Sequence, residues 1–326
     1  MTALERRTKV VLCGSNYGAF YVPSLQELND SFELIGILAA GSERSARLAA
    51  RQKIPLWASV SEIPTDADAA IVALPPTAAA TVAKQLIRRG VHVLMEHPVR
   101  SDVLRDLRQE ALSAKVTHFV NCHFAELSSA RAFIDECRRR RDSSPPTYVS
   151  VVTAPRAAYP TFDVLGRALG SLAAAHLQHE QPPPATPKHP FASFCGVIDE
   201  VPLRVQCSQD VGPVDDGSDS PVPQRVEIGF RDGSLVLHSF AGPVLWLETL
   251  RLALRGSTNP LWRIHSPEPP TFSRLLKDRV SANSGMLREF RRKIDTGNEP
   301  VHQSTDWLST LSELATTVRA RPVTSD

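Results

Sequence analysis

The chain lacks the material for a covalent or metal framework. Its five cysteines are odd in number and form no C-x-x-C pair, which excludes a disulfide scaffold and the usual zinc spacings. An excess of one charge is also missing: 37 Lys and Arg stand against 35 Asp and Glu, a formal net charge of +2. A dedicated nucleic-acid binder is normally far more basic. Aromatic residues are sparse at 6%, so no stacking platform for single strands is expected. The apolar run in "MTALERRTKVVLC" is too short for a signal peptide or a membrane span. These absences predict a cytoplasmic globular protein with no metal, nucleic acid or membrane among its partners. Proline is in excess instead: 26 residues, about 8% where about 5% is average.

What is present in the 326 residues is enough for one large or two ordinary domains. The first 120 residues alternate between short buried-strand runs and amphipathic stretches. "KVVLCG" (9–14), "FELIGILAA" (32–40), "AAIVAL" (69–74), "VHVLM" (91–95) and "THFVN" (117–121) read as strands. Helices are predicted over 18–28, 42–52, 77–90 and 101–114, the second with Ser42 at its N-cap. Strands and helices of this length in alternation imply βαβ units and a doubly wound parallel sheet.

The rhythm changes after residue 124. A helix over 124–139 ends in "RRRR", "TYVSVVTA" (147–154) reads as a strand, and a helix is predicted over 162–176. "RVEIGF" and "SLVLHSF" form a hairpin through Arg231-Asp232-Gly233, followed by one or two strands in "GPVLWLETLRLALR" (242–255) and a last helix over 305–320. The pattern is α+β with a mainly antiparallel sheet. Prolines gather in "EQPPPATPKHP", "DSPVPQ" and "SPEPP", which read as loops. The expected boundaries are 1–122 and 123–326, with the last helix able to pack back on the first domain.

The first strand–helix junction carries "CGSNYGAF". Against the dinucleotide fingerprint G-x-G-x-x-G/A it reads Gly14-Ser15-Asn16-Tyr17-Gly18-Ala19. Gly14 supplies the tight turn; Asn16 stands where the second glycine should be and is tolerated in the left-handed region better than most residues. The second strand ends "LAAGSERS", with Ala39, Ala40 and Gly41 where an NAD site usually has an acid. Ser42, Arg44 and Ser45 follow at a helix N-terminus, suited to a 2′-phosphate, with Glu43 expected to point away. The expected cofactor is therefore NADPH, an alternative being a simple capped surface helix.

"VLMEHPVR" (93–100) closes a strand on Glu96, His97 and Pro98. Ligands in doubly wound sheets bind at such carboxyl ends. Glu96 is expected to orient cofactor or backbone, and His97 to face substrate. His123, at the expected junction between the domains, reads either as a partly exposed loop histidine or as a second proton donor. Cys122 reads as a buried structural thiol, His92 and His118 as packing or surface residues, and Asp163 with Arg167 as an i,i+4 ion pair. The runs "RRRR" (138–141) and "REFRRK" (288–293) read as solvated helix faces, or as patches that steer an acidic partner.

"GVHVLMEHP" (90–98) resembles the G-x-H-V-x-x-E-K-P segment of the Gfo/Idh/MocA oxidoreductases, which join a Rossmann domain to an antiparallel α/β domain. "IVALPPT", containing Leu74, Pro75 and Pro76, is similar to the nicotinamide-side loop of that family. With His97 in place of the lysine, and with "FELIGILAAGSERSARLA" and "FVNCHF", the chain is similar to the thiazolinyl imide reductases of pyochelin- and yersiniabactin-type siderophore biosynthesis. The resemblance covers residues 8–135 and returns at "GPVLW" (242–246). It implies an NADPH-dependent reduction of a thiazoline C=N to a thiazolidine, on a peptide tethered to a nonribosomal peptide synthetase carrier, by a homodimer. It also implies a tyrosine proton donor where this chain has Phe124. Two other readings stand beside it: a sugar or polyol dehydrogenase, and a non-catalytic NADP-binding sensor or scaffold.

Overall fold

The computed structural model describes residues 6–180, 191–208, 224–250, 258, 260–265 and 270–319. The three proline-rich stretches fall almost entirely outside these residues. The chain divides into two compact units, one from Met1–His123 with Arg279–Ser309, the other from Phe124–Asp278 with Thr310–Asp326.

The first unit is built on six parallel strands: β1 (Thr8–Cys13), β2 (Phe32–Leu38), β3 (Leu56–Trp57), β4 (Ala69–Val72), β5 (His92–Glu96) and β6 (His118–Asn121). Their order is β3-β2-β1-β4-β5-β6. The strand order reverses between β1 and β4, the crevice where this architecture holds dinucleotides. Every residue of β4 and β6 is buried. Strands covered on both faces must be apolar throughout, which is why these runs do not alternate.

Four helices follow the strands: α1 (Tyr21–Glu27), α2 (Glu43–Gln52), α3 (Pro76–Arg88) and α4 (Ser101–Ala114). The first begins later than its expected start at Gly18, because a separate 3-10 turn occupies Tyr17–Phe20. Pro23 accounts for the difference. Proline has no N–H and fits only the first turn of a helix; starting at Tyr21 places it third.

The second unit carries an eight-stranded sheet and the helices α5 (Ser128–Arg141) and α6 (Ala158–Leu169). Its strands are β7 (Tyr148–Thr153), β8 (His176–Glu180), β9 (Phe191–Ile198), β10 (Val201–Ser208), β11 (Arg225–Gly229), β12 (Gly233–Leu237), β13 (Val244–Glu248) and β14 (Trp262–Ile264). The order is β14-β13-β12-β11-β7-β10-β9-β8. Only β7 and β10 pair in parallel; the other neighbours are antiparallel. The expected helix over 162–176 is corrected at both ends. It starts at Ala158 and stops at Leu169, because Gly170 takes φ +80° and ends it.

Two further helices close the chain, α7 (Phe272–Thr296) and α8 (Thr305–Arg319). No helix is expected over Phe272–Thr296 from the sequence, yet Met286, Leu287 and Phe290 of α7 join the core that β1, β2 and α1 form in the first unit. Of "REFRRK", Arg288 and Arg292 are exposed on the helix and Phe290 is buried. Gln303 covers the open edge of that sheet: its Oε1 accepts from the Val120 N–H at 3.0 Å and its Nε2 donates to the Val120 carbonyl at 2.8 Å. No helix among the described residues is long and apolar enough to cross a membrane.

Candidate active site

The carboxyl ends of β5 and β6 bring together Glu96, His97, Asn121 and His123. Parallel pairing sets Glu96 opposite Asn121. The Asn121 side-chain nitrogen donates to Glu96 Oε1 at 2.8 Å and to Asn283 Oδ1, from α7, at 3.1 Å. It also reaches the Tyr21 hydroxyl and lies 3.3 Å from His123 Nδ1. Tyr21, the first residue of α1, donates its hydroxyl to Glu96 Oε1. The network thus converges on one carboxylate.

Burial pushes the Glu96 carboxyl above its ordinary range, against the pull of His97, the Tyr21 and Asn121 hydrogen bonds and Arg279. Burial, and then the charge of Glu96, push the Tyr21 phenol well above its usual value. The tyrosine therefore stays a hydrogen-bond donor.

His97 follows the end of β5, and its bond to Pro98 is cis. Its Nδ1 lies 2.8 Å from the Asn121 carbonyl oxygen and 3.6 Å from Glu96 Oε2. A carbonyl only accepts, so Nδ1 carries a proton and donates it to Asn121. The His123 ring lies 6.2 Å away, centre to centre. His123 is wholly buried rather than partly exposed. Burial first, then the positive charges of His97 and Arg279, hold it well below the ordinary imidazole range. It is neutral near neutral pH.

At the end of β1, Gly14 takes φ +98°, and a Cβ there would lie 2.3 Å from the Ala73 carbonyl oxygen. Only glycine fits this turn. The same Cβ would stand 3.2 Å from Leu74, so the loop Leu74-Pro75-Pro76, which opens α3, flanks it. Gly18 lets the 3-10 turn approach β1 closely: a Cβ would sit 3.1 Å from Leu12 Cδ1. Asn16 has φ −78°, so it does not use the left-handed region expected of it.

Ser15 Oγ lies 2.8 Å from Ser45 Oγ, which lies 2.8 Å from the N-cap hydroxyl of Ser42. The first loop and the start of α2 are joined through these hydroxyls, and Ser45 is buried. Arg44 is exposed. Glu43 turns to Arg47, one helical turn on.

Tyr17, expected in the cofactor loop, packs its ring against Phe20, with centroids 5.5 Å apart. Arg279 from α7 covers both rings, its guanidinium carbon 4.0 Å from the Phe20 centroid and 4.8 Å from that of Tyr17. In the second unit, Phe124 lies against Phe240 at 5.0 Å. Asp163 and Arg167 form the expected pair at 3.0 Å, and Arg167 also reaches Glu126 at 3.0 Å.

Tyr21, Asn121, Asn283 and Arg279 escaped the sequence reading. Asn121 ends β6 as Glu96 ends β5, so the rule that parallel strands present their carboxyl ends together would have found it. Asn283 and Arg279, four residues apart on α7, had no local signal.

The residues present fit a dinucleotide: a glycine-only turn at the switch point, flanked by the Leu74 loop, with hydroxyls and Arg44 after β2. Residues 8–122 match the model of the GFO_IDH_MocA oxidoreductase family, NAD-binding Rossmann fold. No curated protein matches the chain. Among solved structures, the chain is similar to a dehydrogenase from Chromobacterium violaceum, with 14% identity, TM-score 0.74, and 96% of this chain and 94% of that one covered. GenD2 from gentamicin A biosynthesis, in complex with NAD, gives 14% identity and TM-score 0.73 over 98% and 95% of the two chains. UDP-N-acetylglucosamine 3-dehydrogenase GnnA from Acidithiobacillus ferrooxidans gives 16% and 0.69 over 96% and 97%. At such identities the likeness concerns the fold. Residues 8–122, with the glycine turn and the strand order, thus match the NAD-binding Rossmann fold of the GFO_IDH_MocA oxidoreductase family.

Proposed function

We propose that the protein is an NADPH-dependent reductase of a thiazoline C=N, acting on a peptide tethered to a nonribosomal peptide synthetase carrier protein and yielding a thiazolidine. The observation that carries the reading is His97, an imidazole at the end of β5 whose Nδ1 is fixed by the Asn121 carbonyl at 2.8 Å. NADPH, when bound, supplies the hydride. Reduction at carbon leaves the ring nitrogen short of a proton, and His97 Nε2 provides it. Glu96 Oε2 lies 3.6 Å from His97 Nδ1, on the side of the ring away from Nε2. Tyr21 and Asn121 hold that carboxylate in place. Burial holds His123 well below the ordinary imidazole range, so it is neutral near pH 7 and does not serve as the acid. Phe124 has no proton to give.

A second reading is favoured by the GnnA likeness: dehydrogenation of a sugar or polyol, with His97 taking the hydroxyl proton. The deciding experiment follows cofactor absorbance with a thiazoline thioester and NADPH, against a panel of sugars with NADP+ and NAD+. Turnover of the thiazoline alone is expected. Turnover of a sugar alone replaces this reading with the second, and cofactor binding without either turnover leaves a sensor or scaffold.

A further inference from the structure

We infer that Arg279, carried by α7 to the loop after β1, is a binding residue for the pyrophosphate of the dinucleotide. The inference rests on the cofactor reading above and adds a residue that the loop's own sequence does not contain.

The loop needs such a residue. A pyrophosphate brings two negative charges, and the segment Gly14–Phe20 holds no Lys or Arg. The second glycine of the fingerprint, which lets backbone approach the phosphates, is Asn16, with φ −78°. A binding loop weakened in this way requires donors from elsewhere in the fold.

Arg279 meets the requirement by position and chemistry. Its guanidinium lies over Phe20 at 4.0 Å and Tyr17 at 4.8 Å. Two aromatic faces hold the planar group without consuming its in-plane N–H donors. One of those donors, Nε, is buried with no hydrogen-bond partner. A buried donor in that state is costly unless a ligand completes it. Phosphate oxygens match the guanidinium fork better than any neutral group does. Asn283, one turn further along α7, anchors the helix to Asn121 at 3.1 Å, which fixes Arg279 relative to the end of the sheet.

The test titrates the intact protein with NADPH, NADH, ADP-ribose and 2′-AMP, by cofactor fluorescence and by competition. Arg279→Met keeps an apolar stem over the rings. It is expected to weaken NADPH, NADH and ADP-ribose by a common factor of about ten to a hundred, and to leave 2′-AMP, which has no pyrophosphate, unchanged. Arg279→Lys should recover part of the loss. Wild-type affinities for both dinucleotides in Arg279→Met overturn the inference, and a raised substrate KM in that case assigns the cation to substrate. An equal loss for 2′-AMP also overturns it, since that outcome reports a disturbed fold; melting temperatures of both variants check the same point. A wild-type protein that binds neither NADPH nor NADH fails the cofactor reading itself, which is a separate result.

Discussion

His97 and Asn121 are joined by a 2.8 Å hydrogen bond from the imidazole Nδ1–H to a main-chain carbonyl, across the last pair of parallel strands. Because the acceptor is backbone, no side-chain substitution at Asn121 removes it. The ring orientation is thus a property of the sheet.

If His97 transfers the proton, His97→Ala lowers kcat by about 10²- to 10⁴-fold, with NADPH affinity nearly unchanged. His97→Lys retains more activity than alanine, since an ammonium also donates. Steady-state rates and a separate cofactor titration check the split. Full kcat in the alanine variant removes His97 from the proton path.

The cofactor preference makes a second prediction. NADPH binds more tightly than NADH, and Arg44→Ala erases most of the difference, about ten- to hundredfold, by loss of one charge-assisted phosphate contact. NADH affinity stays as it was. Fluorescence titration of both cofactors is sufficient, and equal wild-type affinities sink the proposal.

The buried His118 gives a stability prediction. Burial first, then the charges of Arg108 and Lys293, lower its pKa to about 3, and neither ring nitrogen has a hydrogen-bond partner. The unfolded chain binds this proton near pH 6.5, and the folded protein only near pH 3. Between those values the unfolded state holds more protons, so stability falls as pH falls. His118→Leu should flatten the acid limb of melting temperature against pH, and at pH 7 should be neutral or stabilising. An unchanged acid limb contradicts the assignment.

The arginine run separates into unlike residues. Arg140 lies 2.6 Å from the buried Glu136 and 3.2 Å from the Trp246 ring centroid. Arg139 meets the same carboxylate from an exposed position. Arg140→Ala should cost about 3 kcal/mol or more by uncovering a buried charge, and Arg139→Ala under about 1 kcal/mol. Denaturant titration of the two variants measures both. Steering of an acidic carrier by this run is therefore best tried with Arg138→Gln and Arg139→Gln, which keep the Glu136–Arg140 pair and place no new negative charge beside Glu136. Loss of turnover only with tethered substrate, fading with salt, is the expected result.

What the sequence determined is what depends on neighbours along the chain. The alternation of apolar runs with helical stretches specified the parallel sheet, because each βαβ unit buries its own strand. Gly14 marked its turn, since no other residue takes φ +98° against a carbonyl. Glu96 and His97 were legible because a strand end beside proline has few conformations. Tertiary structure decided the rest. The start of α1 depended on where Pro23 could be tolerated, and the exposure of His123 on what surrounds it. Arg279 and Asn283 reach the first unit only because Met286, Leu287 and Phe290 bury α7 in its core. That apolar stripe is short and set among charges, so its periodicity is faint along the chain. Contacts between residues more than 150 positions apart leave no local pattern, and the cation beside the glycine turn is one of them.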